Sequence, residues 1–212
     1  MRNYRKVLLD PADCTLLIVD HQPQMYFGVE GSQRSTILNA IKGLAKTASS
    51  FQVPTILTTV TAESFAGPLS KDVLSVFPGT RPIDRTTLNA WEDACVKRAV
   101  ADTGRKKIII AGLWTEVCVA FPALAAQAEG YEVYVVVDAC GGASDDAHKA
   151  ALQRMIQHGI TPITWQSLLL EFQRDWADKT TYDKVNAIID ECGGVYGVGL
   201  AYAKFMKPMT SG

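Results

Sequence analysis

The stretch AGLWTEVCVAFPALAAQAEG (111–130) places a cysteine, Cys118, between an apolar run ending on glycine and an alanine-rich helical pattern. Thiolate sulfur is a strong nucleophile, so a thiol at such a junction could attack a carbonyl carbon. A strand, a glycine-containing turn and a helix start leave backbone N–H groups unpaired beside the sulfur, where the helix dipole favours negative charge. On that reading the pKa of Cys118 is drawn below the free-thiol value of about 8.5, and a free N–H pair beside the sulfur could serve as an oxyanion hole. Thr115 is the candidate N-cap. Pro122 has no N–H to give the carbonyl of Cys118, which predicts an irregular first turn. The competing reading makes Cys118 a small apolar filler among Val117, Val119 and Ala120.

A nucleophile needs a base, and Asp20 is the candidate, a carboxylate closing the apolar run CTLLIVD. Taken alone, an aspartate there reads as a turn or capping residue. His21 follows directly, but adjacent strand residues face opposite sides, so both cannot meet the sulfur. A third stretch, PIDRTTLNAWED (82–93), sets Arg85 ahead of a polar-aromatic cluster and a helix; on its own this is a salt-bridge arginine. The five cysteines are odd in number and contain no CxxC pair, which argues against a disulfide framework or a thiolate zinc site and for a reducing, cytoplasmic setting. The three histidines, His21, His148 and His158, stand at no metal-ligand spacing.

The elements that must position these residues alternate in type. Near-continuous apolar runs at 14–20, 54–60, 107–112, 131–139 and 161–165 read as strands of a parallel sheet covered on both faces. Residues 34–50, 91–103, 117–129 and 144–158 read as helices, with Gly104 and Gly130 as stop signals. The class is α/β: a three-layer α/β/α sandwich with a mostly parallel, doubly wound six-stranded sheet. Ligands of such sheets bind at the carboxyl ends of the strands, where Asp20 and Cys118 both fall. With no linker or repeat, residues 1–212 read as a single domain, 191–212 forming a glycine- and aromatic-rich tail, either loosely ordered or an arm for a neighbouring subunit. Near-neutral charge gives no electrostatic reason to expect nucleic acid or an anionic membrane as partner. There is no apolar segment of signal-peptide or membrane-span length. VVVDACGGASDD lacks a phosphate-loop lysine and a full G-x-G-x-x-G, so Gly141 and Gly142 read as a turn and Ser144 as a helix cap.

Together, Asp20-His21-Gln22, Arg85 with Asn89-Ala90-Trp91, and Gly112, Thr115, Cys118 and Val119 resemble the isochorismatase-like cysteine hydrolases from about Asp13 to Trp176, most nearly the YcaC-type subgroup. The resemblance implies an Asp–Lys–Cys triad cleaving C–N bonds of a small molecule through a thioester, with Asp20 as base and Cys118 as nucleophile. It also implies a cis peptide at Leu113–Trp114, with the N–H groups of Trp114 and Cys118 as oxyanion donors, and assembly into octamers. Gln22, Phe27, Trp91 and Trp114 are the candidate pocket residues, each equally readable as packing. Arg85 stands where the family usually carries lysine; it can orient Asp20 or stabilise a thiolate but cannot shed a proton. The stretch TTVTAESFAGPLSKDV contains no histidine, unlike the metal cluster of nicotinamidases, so neither metal nor cofactor is expected. The alternative is a non-catalytic or very slow relative that binds a ligand or serves as an oligomeric scaffold.

Overall fold

The computed structural model describes residues 8–206. Six strands form one sheet in the order β3-β2-β1-β4-β5-β6, all neighbours parallel. They are β1 (Cys14–Val19), β2 (Thr55–Val60), β3 (Ile83–Arg85), β4 (Lys107–Gly112), β5 (Glu132–Val136) and β6 (Thr161–Ile163). All six residues of β1 and of β4 are buried, because both strands are central and covered on both faces. Right-handed crossovers place α2 (Arg34–Ser50) and α3 (Lys71–Leu74) on one face, and α4 (Ala94–Asp102), α5 (Ala120–Ala128) and α6 (Asp145–Gln157) on the other. Helices α7 (Trp165–Gln173) and α8 (Lys179–Cys192) pack with α2, and α8 carries α9 (Val195–Met206). A short α1 (Pro23–Phe27) follows β1 directly. No helix among the described residues is long and apolar enough to cross a membrane.

The chain steps outward from β1 to β3, returns, and steps outward again from β4, so the switch point lies between β1 and β4. Their register pairs Val19 with Gly112, the residues before the two site-bearing turns. A Cβ at Gly112 would lie 2.5 Å from the Val19 carbonyl oxygen, so only glycine lets the two strand ends meet this closely.

Several sequence expectations need revision. The sixth strand is β3, inside the stretch read as a cation preceding a helix; three residues are too few to show an alternation. The helix expected over 91–103 is a 3-10 turn (Ala90–Glu92) followed by α4, which Asp93 caps by accepting the N–H groups of Cys95 and Val96. The runs at 131–139 and 161–165 stop earlier as strands, the first in a 3-10 turn (Val137–Ala139) and the second at Thr164, which caps α7. The stretch read as a tail is helical: it holds the end of α8 and all of α9, whose Val195, Val198, Tyr202 and Phe205 form an exposed apolar stripe. Residues 207–212 of that stretch lie outside the described residues.

The contact at the switch point is testable. Gly112→Ala should destabilise the protein by about 1–3 kcal/mol, as overpacking against backbone does, read as a lowered urea midpoint with unchanged slope.

Candidate active site

Asp20 leaves β1 with φ 56°, a left-handed conformation aspartate tolerates. Its N–H donates to the Thr58 carbonyl (3.0 Å) and its own carbonyl accepts from the Gln22 N–H (2.7 Å), so the carboxylate is fixed at the carboxyl edge of the sheet. Arg85, the last residue of β3, donates from Nη2 to Asp20 Oδ2 at 2.6 Å, and both side chains are fully buried. Its Nη1 donates to the carbonyls of Thr87 and Leu88. The strand that sequence periodicity missed is therefore the one that delivers the arginine.

Cys118 arrives from the other side of the switch point. It lies in a π-helical turn, Thr115–Val119, that precedes α5. The irregularity expected from Pro122 is present, but Thr115 is not the cap. Trp114 takes the N-cap position, and the Thr115 hydroxyl pairs with His148 Nδ1 at 2.8 Å. The Leu113–Trp114 peptide is cis. The Trp114 N–H and the Arg85 guanidinium act on the sulfur to lower its pKa, while burial and the Asp20 carboxylate raise it.

Burial wins. The thiol of Cys118 is pushed up to about 12, first by desolvation and then by the facing carboxylate. This corrects the expectation of a depressed pKa: the cysteine is only 3% exposed, and the turn around it cannot offset the loss of water. Burial also lifts the Asp20 carboxyl above its ordinary value, while Arg85 and the Cys118 side chain pull it back. Asp20 Oδ1 makes no hydrogen bond of normal length and angle. The thiol faces the carboxylate closely enough to interact with it. The resting thiol is protonated and faces an Asp20 carboxyl held by arginine.

The remaining candidates separate. Trp114 lies beside Cys118, with its indole Nε1 donating to the Met25 carbonyl (2.9 Å) and its ring against Gly28, next to the exposed Phe27. Gln22 is not a pocket residue: it is fully buried, its amide nitrogen donates to the carbonyls of Val60 and Gly67, and its oxygen accepts from the Val60 N–H. It ties α1 to the end of β2. Trp91 is also misplaced by the sequence reading. Its ring packs edge-on against Tyr131, which precedes β5 at the opposite edge of the sheet. His21 points away from the sulfur and pairs through Nδ1 with the Tyr26 hydroxyl at 2.7 Å; complete burial pushes its pKa down to about 3. Lys107 begins β4, far from Cys118, and cannot replace a triad lysine. Sequence reasoning missed Thr87, whose carbonyl holds Arg85 and whose hydroxyl is buried without a partner.

The thiol's state has a measurable signature. A thiol with a pKa near 12 gains thiolate about tenfold per pH unit over the neutral range. Iodoacetamide labelling of Cys118 should therefore be slow at pH 7 and rise about tenfold per unit to pH 9, read by peptide mass spectrometry; a flat profile would show a thiolate already present at pH 7.

The isochorismatase domain is matched over residues 14–167. The chain is 40% identical to the probable hydrolase YcaC of Escherichia coli over 80% of this chain and 82% of that one. It is 30% identical to isochorismatase domain-containing protein 2A of Mus musculus over 82% of each. Among solved structures, YcaC of Pseudomonas aeruginosa with hexane-2,5-diol and covalent acrylamide superposes with a TM-score of 0.88 at 35% identity, covering 93% of this chain and 97% of that one. The Escherichia coli YcaC structure, described as an octameric hydrolase of unknown specificity, gives the same score and identity over 94% and 98%. With the matched domain spanning most of its length and these relatives aligned nearly end to end, the chain belongs to the isochorismatase family.

Proposed function

We propose that this isochorismatase-family hydrolase cleaves a C–N bond of a small amide-bearing molecule through a thioester on Cys118. The observation that carries the reading is the convergence of Cys118 on a buried carboxylate–guanidinium pair at the carboxyl edge of the sheet. Three buried polar atoms lack partners there: Asp20 Oδ1, Arg85 Nε and Thr87 Oγ1. Unmet donors and acceptors gathered at one place suit a compact ligand carrying both, as an amide does.

Asp20 takes the thiol proton as the sulfur attacks the carbonyl carbon, so thiolate forms only along the reaction path. The N–H groups of Trp114 and Cys118 receive the oxyanion. Collapse expels the amine, which leaves with the proton held by Asp20, and a thioester remains. Asp20 then removes a proton from water, hydroxide adds to the thioester, and the acid departs as Cys118 regains its proton. Arg85 keeps its charge throughout and orients the carboxylate. Its presence in place of lysine removes one possible proton carrier and leaves Asp20 as the only base. Phe27 and Trp114 would flank the substrate. Assembly into a homo-octamer, by analogy with the Escherichia coli protein, and a cytoplasmic location complete the proposal.

The near-complete burial of a protonated Cys118 favours a second reading, a ligand-binding or scaffold protein that keeps the family fold without turnover. Screening small amides, imides and carbamates separates the two. Cys118→Ala, with unchanged thermal unfolding, should abolish hydrolysis, and Asp20→Asn should lower kcat by at least about a hundredfold, as loss of a general base does. Retained turnover in Cys118→Ala, or no adduct mass on Cys118 with any compound, would sink the thioester route.

A further inference from the structure

The Cys118 turn is gripped from one side by a segment that carries no triad residue. Leu113 bridges to Gly141 in parallel register, and the Thr115 N–H donates to the Gly141 carbonyl at 3.0 Å. The Ala143 N–H donates to Glu116 Oε1 at 3.0 Å. Thr115 is fully buried, and its hydroxyl pairs with Nδ1 of His148, on the first turn of α6. The backbone bonds would survive most substitutions. Beside the Glu116 side chain on Ala143, the His148–Thr115 pair ties the turn directly to a helix capped by Ser144 and packed against it.

We propose that His148 is a positioning residue for Cys118, acting through Thr115 to hold the π-helical turn in the conformation that keeps the sulfur buried beside Asp20. A π-turn carries one residue more than the α-helix it enters, so it can relax toward regular helix unless its first residue is pinned. Thr115 is that residue, and a neutral imidazole is suited to the task because it can either accept from or donate to the hydroxyl. The sequence gives no hint of the pairing: Thr115 and His148 are 33 residues apart and meet only because β5 lies next to β4. The inference deepens the reading of Cys118 as nucleophile, but its test needs no substrate.

Iodoacetamide labelling supplies the test, with three other cysteines as internal controls: Cys95 is exposed, and Cys14, at the start of β1, and Cys192, at the end of α8, are buried. His148→Ala should speed labelling of Cys118 about tenfold, the equivalent of one lost hydrogen bond of about 1.4 kcal/mol, while Cys14 and Cys192 stay slow. His148→Asn, which sets an amide group near the place of Nδ1, should restore the rate to within about twofold. Thr115→Val should match His148→Ala, and the double variant should match either single one, because both remove the same contact. Unchanged Cys118 labelling in both single variants, additive effects in the double, or acceleration of Cys14 and Cys192 in step with Cys118 would each overturn the proposal. Failure of the nucleophile reading would appear separately, as turnover surviving Cys118→Ala.

Discussion

A fully buried charge pair, Asp20 with Arg85, joins two strand ends of the sheet. Taking a carboxylate and a guanidinium out of solvent carries a large desolvation penalty for each, repaid only when the partners meet at short range with their remaining groups bonded. Asp20 and Arg85 meet at 2.6 Å and the second guanidinium nitrogen is taken up by the carbonyls that follow β3, while Asp20 Oδ1 and Arg85 Nε are left without partners. The pair therefore fixes how the ends of β1 and β3 stand to each other across β2. Removing either member would strand the other as an uncompensated buried charge, a more severe loss than any single apolar contact around it. Arginine fits this duty better than lysine would, since a planar fork of donors can serve a carboxylate and backbone carbonyls together.

Where elements are long and central, the sequence and the structure agree. The runs that became β1, β2 and β4 lie within a residue or so of their observed bounds because near-continuous burial leaves a continuous apolar signature, and the helices at 34–50 and 144–158 do so because each buries one periodic apolar face, the second starting at its Ser144 cap. Asp20 and Cys118 could be placed at one edge because the carboxyl ends of parallel strands share an edge. Strand β3 was invisible, being three residues of which two are charged, yet it carries the arginine. Trp91 and Gln22 were misjudged because a residue type does not reveal its neighbours. An indole looks the same whether it flanks a ligand or packs on Tyr131, and a buried glutamine amide serves a backbone as readily as a substrate.

The thiol illustrates a contest that the sequence cannot decide. A cysteine at a strand–turn–helix junction has N–H groups and a cation nearby, and both lower its pKa. The same junction is packed by Leu113, Val119 and Ala120, all buried, and it faces a carboxylate. Dipolar stabilisation at a short turn is worth on the order of 1 kcal/mol, whereas full desolvation of an anion costs several times that. Burial is a property of the whole packed sheet, so the outcome became visible only with the tertiary structure.

Such a sulfur gains something from its quietness. Peroxides and disulfides react with thiolates that solvent can reach, and Cys118 offers neither the charge nor the access. A sulfur buried and protonated in this way is spared sulfenic and sulfinic acid damage, with no resolving cysteine needed for its repair.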